Sequence, residues 1–460
     1  MIDIEGIDRG HCAEFRGIRY AAADRLTLPD DIDGIEPGTD GTVFGAQAPQ
    51  LGGALEKMLG ATDLASDEDC LFLNIFTPSR DDAARPVLVF VHGGAFVTGT
   101  AAMPWYDGAA LCERGDVVVV TINYRLGALG FLDDTNLGSH DQVSALRWIG
   151  RNISEFGGDP DNVTIFGESA GGSSVISLLA VPAAEGLFHK VWSMSPSITQ
   201  YRSRAEAGDL TRRFLEFVGN DDLTQCSSDE ILEAQGRFLS NVPGFRHFSP
   251  TEGSELFPGE ILERAASDDR PLVVGTNRDE MLLFTAFDAS RGSWTDADVD
   301  EQFHLRFGSH ADAAVAAYRA ARPNSDPSRL VSAMQTDETF RRPAQRLAEA
   351  RAARGVDTWM YQFEMESTAF GGVLGACHGL DLPYAFDTLD SHGAELFTGP
   401  GEHRRAVAAR LSGDLVAFAR TGEVSWARFT LADRATRRIG PIDELVLDPE
   451  PELRTLWDRE

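Results

Sequence analysis

Lysine is nearly missing from this 460-residue chain: only Lys57 and Lys190 occur, so arginine supplies almost all of the 41 basic residues. Set against 72 acidic residues, they leave a net charge of −31. Such a field repels phosphate backbones and anionic headgroups and argues against nucleic-acid or membrane-surface partners. Cysteine is scarce too. Cys12, Cys70, Cys112, Cys226 and Cys377 stand far apart and are odd in number, which is neither a disulfide framework nor a metal-ligand pattern. The apolar runs are too short to span a bilayer. The opening MIDIEGIDRG has acids where a secretory leader carries a basic stretch and then an apolar one, so a cytoplasmic location is expected. What the chain does have is apolar mass. With 43% hydrophobic and 9% aromatic residues it has material for a large packed core, which excludes a disordered or fibrous protein.

Short, valine-rich runs ending in glycine or a small polar residue recur at 86–92, 117–123, 163–167, 271–275 and 358–363. Runs of this kind suit strands buried on both faces. Between them, 141–152 puts Val143, Leu146 and Ile149 on one helical face, and 173–179 has a similar spacing. Further helical patterns cover 343–353 and 403–420, the latter closed by Thr421 and Gly422. The alternation predicts an α/β architecture with a mostly parallel sheet covered on both sides. A more polar stretch at about 201–265, with Phe245, Phe248 and Phe257, interrupts it and reads as an insertion over the edge or mouth of the sheet. There is no repeat and no Pro/Ser-rich hinge, so a single domain over 1–460 is expected.

The segment NVTIFGESAGGSSV runs from a strand-like stretch through Gly167-Glu168-Ser169-Ala170-Gly171 into a helix-like one. This is the nucleophile-elbow pattern, in which a strained turn projects a serine hydroxyl from the carboxyl edge of a sheet. Ser169 is the expected nucleophile, and the Ala170 N–H is aimed where an oxyanion forms. The run PVLVFVH ends in His92-Gly93-Gly94-Ala95-Phe96, where small residues free backbone amides to face a ligand; Gly94 and Ala95 are the expected partners of Ala170 in an oxyanion hole. His92 stands before the nucleophile, on the oxyanion loop, and is expected to brace it.

A serine hydroxyl needs a base at neutral pH. Of the later histidines, His304, His310 and His403 lie in polar or helix-like contexts, whereas His378 sits in the glycine-flanked loop GACHGLDLPYAF, beyond the strand TWMYQF. His378 is the expected base, with His392 its rival. The supporting carboxylate follows the nucleophile and precedes the histidine. Glu280, closing PLVVGTNRDE, satisfies that order, and so does its neighbour Asp279.

The elbow GESAGG combined with SEDCLFLNIFTP, VFVHGGAF, NYRLGALGFL, GTNRDE, TDETFRRP, GACHGLDLPYAF and FARTGE resembles the type-B carboxylesterase family, which includes cholinesterases and bacterial para-nitrobenzyl esterases. The resemblance implies an α/β-hydrolase fold, with helical insertions over the active-site mouth, and hydrolysis of small-molecule esters without a metal or organic cofactor. It places the acid at the last residue of GTNRDE, hence Glu280, and the base at His378. Many relatives pair a cysteine like Cys70 with one in a Cys-Pro-Gln stretch; here Ala48-Pro49-Gln50 stands instead, so no such bond is expected. Where relatives have Ser-Gly-Ser, this chain has Ser195-Pro196-Ser197, which makes Ser197 a candidate support for the acid. Glu168, beside the nucleophile, is expected to be a buried, hydrogen-bonded support. Trp105, Phe284 and Phe287 are candidates to line a pocket. The sequence does not indicate an oligomeric state.

Overall fold

The valine-rich runs form the middle of a sheet that, in the computed structural model, has eleven strands among the described residues 4–52, 64–244 and 246–458. Lys57 and Phe245 lie outside the described residues. In chain order the strands are β1 (Ile7–Asp8), β2 (Ala13–Arg19), β3 (Phe72–Thr77), β4 (Arg85–Val91), β5 (Val118–Ile122) and β6 (Gly158–Glu168). They continue with β7 (Lys190–Met194), β8 (Leu272–Asn277), β9 (Thr358–Phe363), β10 (Thr436–Ile439) and β11 (Asp443–Val446). Their lateral order is β1-β2-β3-β5-β4-β6-β7-β8-β9-β10-β11. From β5 across to β10 each neighbouring pair is parallel; the pairings of β1, β2, β3 and β11 at the two edges are antiparallel.

Strand β4 shows why these runs lack polar alternation. Val87, Val89 and Val91 enter one apolar core and Leu88 and Phe90 the other, because a strand in the middle of a parallel sheet has helices on both faces. Each such side chain contributes roughly 1.5–3 kcal/mol by leaving water. On the first face lie α1 (Leu137–Asn152), through Val143, Leu146 and Ile149, and α2 (Ala170–Ser177), through Val175 and Ile176.

The stretch at about 201–265 holds α3 (Arg204–Val218) and α4 (Ser228–Asn241). Each opens with a serine capping box, Ser203 with Glu206 and Ser227 with Glu230, a sequence signal for helix starts that marks this region better than its polarity does. The Phe214 and Phe238 rings meet edge-on at 5.5 Å, and buried Arg202 donates to the Phe131 and His247 carbonyls, both at 2.8 Å. A satellite core unanticipated in the sequence follows, built from α5 (Asp296–Phe307), α6 (Ala311–Ala321) and α7 (Pro327–Thr336). Helix α8 (Arg342–Ala352) continues α7 after one irregular turn. The second face of the sheet is covered by α9 (Arg404–Thr421), whose Val407, Leu411, Leu415 and Phe418 join Leu88 and Phe90. The last helix, α10 (Pro451–Trp457), packs Leu453 and Trp457 into the satellite core.

Strand β4 has β5 on one side and β6 on the other, so the chain reverses its lateral direction there. The crevice outside the carboxyl end of such a switch point is where open α/β sheets bind ligands. Among the described residues no helix is long and apolar enough to cross a membrane.

Candidate active site

Strand β6 ends at Glu168 and α2 begins at Ala170, which leaves Ser169 alone to turn the chain. Its backbone takes φ 58° and ψ −120°, a conformation that costs about 1–3 kcal/mol and persists only when its surroundings enforce it. They do so through the Ser169 N–H, which donates to the Met194 carbonyl at 3.0 Å, and through close packing of α2 on β4. A Cβ on Gly171 would lie 1.9 Å from the Val91 carbonyl oxygen, so only glycine permits that approach. The first amides of a helix have no intrahelical acceptor, and Ala170 supplies one of them beside the serine.

The neighbouring loop leaves the end of β4. Gly94 has φ 108°, and Ala95 and Phe96 follow with φ 54° and 61°. The Gly94 carbonyl accepts from the Val97 and Thr98 amides, both at 3.0 Å, which curls the loop on itself. His92 braces it: its Nδ1 is 2.8 Å from the Gly93 carbonyl oxygen, and its ring stacks on Tyr124 at 4.5 Å. Burial lowers the His92 pKa to about 4, leaving a neutral ring.

The candidate acid and base come from the loops that follow β8 and β9. Glu280 is fully buried; its Oε1 accepts the Asn277 N–H at 2.6 Å, and its Oε2 is 2.7 Å from His378 Nδ1. The two residues also share a backbone bond, the His378 N–H donating to the Glu280 carbonyl at 3.2 Å. Asp279 turns elsewhere, accepting from the Ala376 N–H at 3.0 Å and pairing with Arg278 at 2.7 Å. His392 offers its carbonyl to the Trp105 indole N–H at 3.1 Å. Ser197 is not placed against Glu280: its Oγ is 3.3 Å from Ser173 Oγ, on the Ser169 side of the cavity. Asn277 takes that place, because the turn after β8 brings its own amide onto the carboxylate and its Nδ2 onto the Cys377 carbonyl at 2.7 Å. The sequence reading missed Asn277, although it stands in GTNRDE, and also Asp381. Asp381 accepts from Asn277 Nδ2 at 3.2 Å and from the Tyr361 hydroxyl at 3.3 Å. Burial first, and then the Glu280 charge, push Asp381 up to about 7.

The second ring nitrogen, His378 Nε2, lies 3.2 Å from Glu168 Oε1. Burial pushes Glu168 up to about 8, against the pull of the imidazolium. Burial alone would lower His378; the charges of Glu168 and Glu280 outweigh it and hold the ring up, at about 9.

Ser169, Gly94, Ala95, Glu168, Ser197 and His378 face one cavity of about 370 Å³, within the range of small-molecule sites. Its walls are largely apolar and include Trp105, Leu283, Phe284 and Phe397, with Trp105 and Phe397 stacked at 5.3 Å. Phe287 lies apart, edge-on to Phe370 at 5.3 Å on a neighbouring groove. Met281, Thr339 and Phe340 also line the Ser169 cavity, and none of its lining residues falls in 201–265. Among the described residues no group of three or more His, Cys, Asp or Glu side chains is arranged to hold a metal ion.

The carboxylesterase family profile matches residues 3–439. The chain belongs to the carboxylesterase family. It is similar to a para-nitrobenzyl esterase of Bacillus subtilis, 34% identical over 98% of this chain and 96% of the relative. A phenmedipham hydrolase of Pseudarthrobacter oxydans is 32% identical over 94% and 93% of the two chains. Among solved structures, a carboxylesterase of Geobacillus stearothermophilus superposes with a TM-score of 0.86 and 33% identity, covering 99% of this chain and 98% of that one. This carboxylesterase therefore has the α/β-hydrolase fold and hydrolyses carboxylic esters.

Proposed function

We propose that ester cleavage proceeds through an acyl-enzyme on Ser169. His378 takes the hydroxyl proton as Ser169 attacks the ester carbonyl, and Glu280 fixes the imidazole tautomer and stabilises the imidazolium. The amides of Gly94, Ala95 and Ala170 receive the tetrahedral oxyanion; losing one such donor costs about 2.7–4 kcal/mol of transition-state stabilisation. His378 returns the proton to the leaving alcohol, then activates the water that releases the acid. The observation that carries this reading is the 2.7 Å contact between Glu280 and His378, at the wall of the cavity into which the strained Ser169 opens. Hydrogen bonds of this kind tighten when substrate arrives, and Nε2 then exchanges its Glu168 contact for the serine hydroxyl. The apolar walls favour uncharged esters with an aryl or alkyl group. A reducing, cytoplasmic setting fits thiols that are all free, Cys70 among them.

The test is labelling with a fluorophosphonate probe alongside turnover of p-nitrophenyl acetate. Modification is expected at Ser169, and Ser169→Ala is expected to lose both labelling and turnover. Undiminished turnover in that variant overturns the assignment.

A further inference from the structure

Between α7 and α8 the residues Asp337–Arg341 form a π-helical turn, one residue wider than an α-helical one. Such turns recur where function needs a helix to present side chains that regular geometry would separate. An α-helix advances about 100° per residue, so Thr336 and Arg341, five apart, would otherwise point roughly 140° away from each other. Here both reach the loop that carries Glu280. The Thr336 hydroxyl oxygen accepts the Met281 N–H at 3.1 Å. Arg341 Nη2 donates to the Arg278 carbonyl at 2.7 Å and to the Asn277 carbonyl at 3.3 Å. Between them the turn brings up Phe340, whose ring centre is 4.7 Å from that of His378.

The same turn is anchored from behind. Buried Asp337 pairs with Arg341 and accepts from the Tyr318 hydroxyl at 2.5 Å, and that oxygen accepts the Trp457 indole N–H at 3.0 Å. Asn277, whose carbonyl Arg341 holds, is the residue whose amide grips Glu280 and whose side chain grips the loop before His378. The route from Asp337 to the acid–base pair is therefore continuous: guanidinium, loop carbonyls, Asn277 amide, carboxylate, imidazole.

We propose that the π-turn Asp337–Arg341 is a positioning element of the active site, in which Arg341 sets the loop carrying Glu280 and Phe340 sets the plane of the His378 ring. The inference rests on the assignment of Glu280 and His378 as acid and base. Neither Arg341 nor Phe340 touches reacting atoms through a polar group; both act through the pair they hold.

The experiment compares Arg341→Met, Arg341→Lys and Phe340→Leu with the parent, using p-nitrophenyl acetate and counting competent sites by fluorophosphonate labelling. The expected result is a fall in kcat per labelled site of tenfold or more for Arg341→Met and Phe340→Leu, with KM within about twofold, and partial recovery in Arg341→Lys, which keeps a donor. A purely structural role would reduce the number of labelled sites and the melting temperature while leaving kcat per site intact. Values within twofold of the parent in both Arg341→Met and Phe340→Leu overturn the proposal; if Arg341→Met does not fold, Phe340→Leu alone decides. His378→Gln is measured beside them. If it retains turnover, the acid–base assignment itself falls; if it loses turnover while the π-turn variants stay at parental kcat, only the positioning role falls.

Discussion

Glu168 is the residue whose chemistry most affects the neighbours around it. It precedes the nucleophile, is buried, and sits 3.2 Å from the nitrogen that the proposed mechanism needs for Ser169. His378 is also faced by Glu280 and Asp381, and the sum of these charges holds its pKa above the ordinary histidine value of about 6.5. A general base works only when neutral, so kcat/KM is expected to rise with pH along a limb set by His378. Removing one facing charge lowers that pKa. Glu168→Gln should therefore move the acid limb to lower pH by about one unit, read from pH profiles of kcat/KM for an uncharged ester. A limb that stays in place or moves to higher pH would mean the Glu168 charge does not act on the base. At this scale much of the site was legible: a lone strained serine, glycines around it and a histidine in a glycine-flanked loop are written in short motifs. Asn277 and Asp381 were not, because an amide and a carboxylate acquire their roles from two loops meeting in space, and nothing local distinguishes them from the chain's other polar residues.

The elements are tied together by a few buried polar groups. Strand β5 leads into Arg125, whose Nε and Nη2 meet the Asp141 carboxylate of α1 at 2.8 and 2.7 Å, while the Arg125 N–H donates to it at 3.0 Å. Both partners are almost inaccessible, with side-chain exposures of 5% and 0%. Removing one member strands the other charge in the core, which typically costs about 3–5 kcal/mol. Asp141→Ala is expected to lose that much unfolding free energy in a urea titration; a loss under 1 kcal/mol would place the pair among weak surface contacts. Legibility differed sharply between elements. Strands β4, β5, β8 and β9 stood out because burial on both faces leaves an unbroken apolar run. Helices α5, α6 and α7 did not, because they pack on each other and on α10 rather than on the sheet, and their alanine-rich and polar faces dilute the apolar spacing. The starts of α5 and α7 were nonetheless signalled, by the Thr295 and Asp298 capping box and by Asp326 before Pro327.

Taken whole, the molecule carries a net charge of −31 on a surface also crossed by many arginine–carboxylate pairs. The two act oppositely when salt is added. Exposed pairs contribute about 0–1 kcal/mol each and weaken with screening, whereas the unbalanced acids repel one another throughout the surface. Because the excess is so large, repulsion is expected to dominate, and the melting temperature should rise between roughly 10 mM and 500 mM sodium chloride as the Debye length shrinks from about 30 Å to below 8 Å. A steady fall over that interval would show that the ion pairs outweigh the repulsion.

The groups that meet at the rim of the sheet come from far-separated stretches: the Gly94 loop, Ser169, Glu280 and finally His378. Translation therefore completes the elbow and the Gly94 loop long before the imidazole of His378 exists. Under the proposed mechanism the unfinished chain lacks the group that draws off the serine proton, and it is expected to be silent toward esters.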